Sequence, residues 1–93
     1  MEKYIVRAVK NPKYDLKIST DENGFAYYNG GGGSMWNCWT DRIDKAKQFL
    51  KAEDAGARAW RANNETHVFT VPVINAEVIK VEVEIKVIEV IKD

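Results

Sequence analysis

The pattern of apolar and polar residues in the first 28 positions predicts antiparallel strands. Residues 4–9 predict a strand with Tyr4, Val6 and Ala8 on one face, and residues 14–18 alternate apolar and polar side chains as a half-buried strand does. Asn23-Gly24 supplies the backbone conformations that a tight hairpin turn requires, and it precedes a short third strand at residues 25–28. The opening of the chain therefore predicts a β-meander.

The spacing of apolar residues changes to three and four after Trp39, which predicts two helices, on residues 41–50 and 53–62. Thr40 or Asp41 is placed to accept hydrogen bonds from the free N–H groups at the start of the first helix. The apolar side of that helix consists of Ile43, Ala46, Phe49 and Leu50. The second helix places on its apolar side Ala52, Ala55, Ala59 and Trp60.

The period of two returns in the last third of the chain. Residues 67–74 predict a strand that Pro72 confines to an edge or a bulge, and residues 75–77 predict a turn. Residues 79–87 then alternate apolar and charged side chains. We expect this final strand to pair with the first and to turn its odd-numbered apolar side towards the helices, where it would meet Ile43, Ala46, Phe49, Leu50 and Trp60. Beyond residue 87 the alternation slips, which predicts a bend, a bulge or pairing outside the monomer.

Together these elements predict one α+β domain covering residues 1–93. We expect an antiparallel sheet of about five strands with two short helices packed on one face, in the order ββ(ββ)αα(β)β. The 45% of hydrophobic residues is enough for a core in a chain of this length, and the 30% of charged residues is typical of a folded, water-exposed surface.

The charge balance disfavours a general nucleic-acid binder, because the net charge is zero and such proteins carry a basic excess. Basic residues nevertheless concentrate in residues 42–61, with six Lys and Arg against three acids. No apolar run approaches the length that a membrane helix needs, and the first residues do not resemble a signal peptide. With Cys38 as the one cysteine, we expect a cytoplasmic protein with no membrane association.

Four consecutive glycines and Ser34 fill residues 30–34 and predict a mobile loop tip. The run has the composition of an engineered flexible linker, so a natural loop and a replaced loop both fit it. A phosphate-binding loop is disfavoured, because no Gly-Lys-Ser/Thr ending follows and no helix comes directly after a buried strand.

Residues able to carry chemistry are few. Cys38 and His67 form the one conceivable thiol–imidazole pair, but a cysteine between tryptophans is more often a small buried residue. One Cys and one His provide no spaced set of metal ligands. The carboxylate pairs Asp41/Asp44 and Glu82/Glu84 fit a helix start and a solvated strand face. We therefore expect no cofactor, no metal and no catalytic residue.

Aromatic and basic side chains are the better candidates for contact with a partner. Trp39 and Phe25 are expected in the core. Exposed aromatic rings beside a mobile loop are typical of protein-contact hot spots. The candidate partner-binding residues are Tyr27, Tyr28, Trp36, Lys45, Lys47, Lys51, Arg58 and Arg61.

The layout resembles small accessory proteins encoded in phage and prophage genomes. The similar features are the opening strand Lys3-Tyr4-Ile5-Val6, the Tyr14-x-Leu16-x-Ile18 hairpin, Trp39-Thr40-Asp41 leading into Ala46-Lys47-x-Phe49, then Ala55 and Ala59, and a Val/Glu-alternating tail ending in Lys92-Asp93. The glycine run departs from the pattern. The resemblance implies a protein that binds and blocks a host component, as anti-CRISPR and other anti-defence inhibitors of this size do, and it assigns no individual functional residue.

The leading hypothesis is thus a non-enzymatic protein-binding module, an inhibitor of a host protein acting in the cytoplasm of the host cell. One alternative is a nucleic-acid-associated accessory protein that uses the basic helical side. Another is an enzyme built on Cys38 and His67. A fourth is self-association, in which the C-terminal strand forms a homodimer by edge pairing.

Overall fold

The computed structural model of the protein describes residues 1–13, 18–31, 38–64 and 72–83. These residues form an α+β fold, as predicted. Its elements are the strands β1 (Glu2–Lys10), β2 (Phe25–Tyr28), β3 (Trp39–Thr40) and β4 (Val73–Glu82), the helix α1 (Ala52–Asn63) and one 3-10 turn (Ile43–Lys45). The strands make one antiparallel sheet in the order β3-β2-β1-β4. The predicted pairing of the final strand with the first is therefore confirmed.

The number of strands differs from the prediction. Four strands are described where about five were expected. Most of the predicted second strand, at residues 14–18, lies outside the described residues, as do residues 84–93 of the tail. The turn predicted at residues 75–77 is wrong, because β4 runs through these positions.

A β-bulge explains why residues 75–77 resemble a turn. The pairing register shifts so that Ala8 of β1 lies opposite two residues of β4, Asn75 and Ala76. Asn75 has φ 54°, in the left-handed region that asparagine tolerates better than most residues. The extra residue changes which side chains face α1, so that Val73 before the bulge and Val78 after it pack in the same cluster.

The helix predicted at residues 41–50 is wrong, since only the 3-10 turn forms there. The Lys47 N–H donates to the Tyr28 carbonyl over 2.7 Å, and Phe49 exchanges backbone hydrogen bonds of 2.7 and 2.9 Å with Tyr4. These bonds cover the edge of β1 beyond the end of the much shorter β2. Backbone groups in that position need partners, and this tertiary demand outweighs the local helical spacing.

The predicted second helix is confirmed as α1, two residues longer than expected. Ala55, Ala59 and Ala62 are buried at helical spacing, and their small side chains bring the helix close to β1 and β4. The core on this side of the sheet is one cluster of buried residues, Val6, Ala8, Ile18, Ala26, Cys38, Trp39, Ala55, Ala59, Ala62, Val73 and Ala76. Trp39 is thus buried as predicted.

A second, smaller cluster lies on the other face of the sheet. It contains Ile5, Tyr27 and Ala46, with Phe25, Ile79 and Val81 half-buried against them. Ile79 and Val81 therefore lie in the same cluster as Ala46, as predicted, but on the face of the sheet away from α1, so the expectation that this side of the strand faces the helices is wrong. The rest of that prediction is wrong: Phe49 packs in the first cluster, while Ile43, Leu50 and Trp60 are exposed.

Candidate partner-binding surface

Tyr28 is the centre of a group of rings that joins four parts of the fold. Its ring lies edge-on to Trp39 with centroids 6.0 Å apart and stacks on Phe49 at 6.2 Å. The Arg58 guanidinium lies 4.4 Å from the Tyr28 centroid and 5.6 Å from that of Trp39. This ring cluster (Tyr28, Trp39, Phe49 and Arg58) ties α1 to β2, β3 and the segment that covers the edge of β1.

Arg58 also contacts the cysteine. One guanidinium nitrogen, Nη2, donates to the Cys38 Sγ over 3.8 Å, and Cys38 itself is buried. Stacking of a guanidinium on aromatic rings is favourable and keeps its charge partly solvated. Of the predicted partner-binding residues, Tyr28 and Arg58 are therefore placed by contacts inside the fold, with only part of each side chain reaching the surface.

Tyr27 is buried, in contrast to its neighbour Tyr28. Its hydroxyl donates to Asp21 Oδ2 over 2.6 Å, and Asp21 Oδ1 accepts the backbone N–H groups of Asn23 and Phe25 over 2.9 Å each. Hydrogen bonding, first from Tyr27, lowers the pKa of Asp21. Burial, together with the hydrogen bond to Asp21, raises the pKa of Tyr27 to about 12. The hydrogen bonds of Tyr27 and Asp21 stabilise the turn before β2. The Tyr27 ring is buried and is therefore not part of an exposed surface.

The raised pKa of Tyr27 predicts a loss of stability at alkaline pH. A tyrosine in the unfolded chain ionises near pH 10, so above that pH the unfolded state releases a proton that the folded state retains up to about pH 12. The free energy of unfolding should fall through this window. Tyr27→Phe should be less stable than the natural protein at neutral pH but should show a shallower decline. Urea unfolding from about pH 8 to about pH 11.5 measures both slopes, and equal slopes would contradict the prediction.

The other predicted partner-binding residues are mostly exposed. Lys45, Lys47, Lys51 and Arg61 are exposed, while Trp36 lies outside the described residues. Lys47 extends beside Gly30, where an added Cβ would lie 3.1 Å from the lysine Cδ. Gly30 also has φ +86°, a backbone conformation that favours glycine, and an added Cβ would require the Lys47 side chain to shift.

Three exposed apolar side chains were missed as surface residues by the sequence prediction. Leu50 is 74% exposed, Trp60 67% and Ile43 53%. All three were expected in the core: Ile43 and Leu50 because a helix was predicted at residues 41–50, and Trp60 because helical spacing alone does not fix the rotation of a helix. The sequence signal that could have predicted the exposure of Trp60 is the spacing of Ala55, Ala59 and Ala62. This spacing by itself defines the buried side of α1.

The groups considered for catalysis are not brought together in the described part of the chain. His67 lies outside the described residues, so its pairing with Cys38 stays a prediction. Asp41 and Asp44 are exposed, and Asp44 pairs with Arg42 at 2.9 Å. Among residues 1–13, 18–31, 38–64 and 72–83, no three His, Cys, Asp or Glu side chains are grouped so as to hold a metal ion.

None of the described helices combines the length and the apolar character needed to cross a membrane. Comparisons with protein-family models, curated proteins and solved structures found no match to this chain.

Proposed function

We propose that this protein is a non-enzymatic protein-binding module that contacts its partner through the outer side of α1, around Trp60. The observation that carries the proposal is the 67% exposure of the Trp60 side chain on a helix whose opposite side is buried. Tryptophan is among the residues most enriched in the centres of protein interfaces, because its large ring gains much from burial.

The surroundings of Trp60 favour contact with a protein surface. One helical turn before it lie Gly56 and Ala57, and nothing comes within 4 Å of a Cβ built on Gly56. The indole therefore lies beside a recess on the helix surface. Protruding side chains of a partner can fill this recess and cover both sides of the ring. Against a flat partner surface, one side of the ring would stay in water.

The charge of residues 42–61, which include most of α1, indicates the character of the partner. Residues 42–61 carry six basic against three acidic side chains, and Lys45, Lys47, Lys51 and Arg61 are exposed. A surplus of positive charge attracts an acidic protein surface and accelerates its association at low salt. We therefore expect an apolar pocket with an acidic rim on the partner.

The role of inhibitor of a host protein rests on the resemblance to phage and prophage accessory proteins. In that setting the protein works in the cytoplasm of the host cell and blocks a defence component by occupying its surface. A gene position among early phage genes or beside defence genes would favour this role. The protein-binding proposal itself depends on Trp60 and stands apart from that setting.

Binding to a bacterial lysate protein, followed by measurement with the purified partner, tests the proposal. Trp60→Ala should weaken the affinity by about tenfold or more, and Trp60→Phe should lose less. Leu50→Ala is the matched control, since it removes an equally exposed apolar side chain outside α1. Loss of binding in Leu50→Ala with full binding in Trp60→Ala would contradict the proposed surface.

A nucleic-acid partner would give a different result. Gel shifts that weaken steeply with salt and do not change in Trp60→Ala would favour the nucleic-acid alternative. Arg58 does not support that alternative, because its guanidinium lies on the Tyr28 ring and contacts Cys38.

A further inference from the structure

The outer edge of β4 is the longest exposed strand edge in the described sheet. The Val83 N–H donates to the Met1 carbonyl, so the odd-numbered residues after the bulge direct their backbone groups towards β1. Alternation in an antiparallel ladder then directs the N–H and C=O groups of Val78, Lys80 and Glu82 away from β1. No described residue pairs with these outward groups.

One side chain closes the same edge at the bulge. The Asn63 side-chain amide at the end of α1 donates to the Ala76 carbonyl over 2.9 Å and accepts its N–H over 2.7 Å. This pair of bonds imitates a neighbouring strand and blocks Ala76 as a pairing position. The part of the edge left open therefore begins at Val78.

We propose that this open edge pairs with the same edge of a second copy of the chain, antiparallel and about a two-fold axis. In the proposed register Lys80 lies opposite Glu82 of the second copy, and Glu82 opposite Lys80. Each dimer then contains two symmetry-related ion pairs in addition to the backbone hydrogen bonds. This interface is separate from the outer side of α1, so it does not rest on the proposed function.

Electrostatics select that register from the alternatives. A shift by two residues in one direction places Lys80 opposite Lys80, which is unfavourable for directly opposed side chains. A shift by two residues in the other direction places Glu82 opposite Glu82, which is unfavourable for the same reason. Lys80 and Glu82 are available for the exchange, because their present ion pairs, with Glu2 and the N-terminus, are exposed and contribute little.

Apolar side chains support the same register. On the face away from α1, Val81 would lie opposite Val81 and Ile79 opposite Val83 of the second copy. Ile79, Val81 and Val83 are half-buried in the single chain. Ile79 and Val81 belong to the second cluster, so pairing would extend that cluster across the axis and cover more of its surface.

Sedimentation velocity over a concentration series from about 10 µM to about 1 mM tests the proposal with the full-length chain. The natural protein should show reversible dimer formation. Lys80→Glu and Glu82→Lys should each weaken the dimer about tenfold or more, because both replace two attractive pairs with two repulsive ones. The double variant K80E/E82K should dimerise again.

A mixture of the two single variants is the matched control. Lys80→Glu presents only acids and Glu82→Lys only bases, so the mixture should form a heterodimer that neither variant forms alone. Unchanged far-UV circular dichroism establishes that the variants fold, and Trp60→Ala should dimerise like the natural protein. A natural protein that stays monomeric at about 1 mM, or a double variant that stays monomeric, would overturn the proposal.

Discussion

Replacing Ala55 with leucine is expected to lower the free energy of unfolding by up to about 3 kcal/mol. Ala55 has no exposed surface and lies where α1 meets the sheet, in the same cluster as Val6 and Val73. Three extra carbon atoms at this point force the helix away from the strands or force strained rotamers. A domain of this length has about 5–14 kcal/mol of stability in total, so the loss should be large in a urea titration.

Ala57→Leu is the matched control for this prediction. It adds the same atoms to the same helix on the exposed side. Its effect should stay within about 0.5 kcal/mol, since surface substitutions away from special contacts are nearly neutral. Equal destabilisation by the two variants would show that α1 does not pack through its alanine side.

Replacing Asn63 with alanine is expected to cost about 2 kcal/mol, the second largest effect. The substitution removes both hydrogen bonds to the Ala76 backbone and leaves an N–H and a C=O of the bulge without their described partner. Alanine is the better helix former, which offsets part of the loss. Chemical unfolding measures the change, and hydrogen exchange at the Ala76 amide should rise relative to Ile79 if the bulge opens locally.

Asn64→Ala provides the comparison for that variant. Asn64 is the next residue of the same type, and its side chain donates to the Trp60 carbonyl in an exposed position. Its removal should cost about 0.5 kcal/mol or less, because water replaces the partner. If the two asparagine variants are equally stable, the Asn63 side chain does not hold the bulge.

Both substitutions concern α1, which separates two surfaces of this protein. Its alanine side fixes the helix on the sheet, and its last residue closes β4 at the bulge. Trp60 is exposed at the proposed partner surface, while no described residue pairs with the outer edge of β4 from Val78 onward, where we propose the pairing. Ala55→Leu should therefore disturb both surfaces together, whereas Trp60→Ala and Lys80→Glu should each affect one.

Local sequence patterns predicted correctly those elements whose tertiary contacts favour the same secondary structure. The apolar stretch of residues 4–9 predicted β1, the alternation in residues 79–83 predicted the second half of β4, and the alanine spacing predicted α1. The turn at Asn23-Gly24 also forms, with φ +87° at Gly24. In β1 and β4 the apolar positions of the pattern are buried or half-buried, and in α1 Ala55 and Ala59 are buried while Ala52 and Trp60 are exposed.

The candidate surface was less predictable than the fold. The exposed basic residues Lys45, Lys47, Lys51 and Arg61 were identified from the sequence, and Cys38 was correctly expected to be buried. Tyr27 was a candidate for partner contact and is buried, since its hydroxyl donates a hydrogen bond to Asp21 six residues earlier. The sequence does not show that Asp21 will lie beside Tyr27, because only the folded turn brings the two side chains together.

The sequence by itself determined the class of the fold and the positions of β1, α1 and the second half of β4, because each of these depends on the apolar residues within a short segment. The tertiary structure decided the features that depend on the unequal lengths of β1 and β2 and on the rotation of α1 about its axis. β1 is longer than β2, so residues 47–49 extend along its edge and the predicted first helix cannot form there. The rotation of α1 that buries Ala59 exposes Trp60, and the bulge at Asn75 and Ala76 decides which side of β4 faces the helix. Backbone groups that need partners across the fold outweigh local preference at these points.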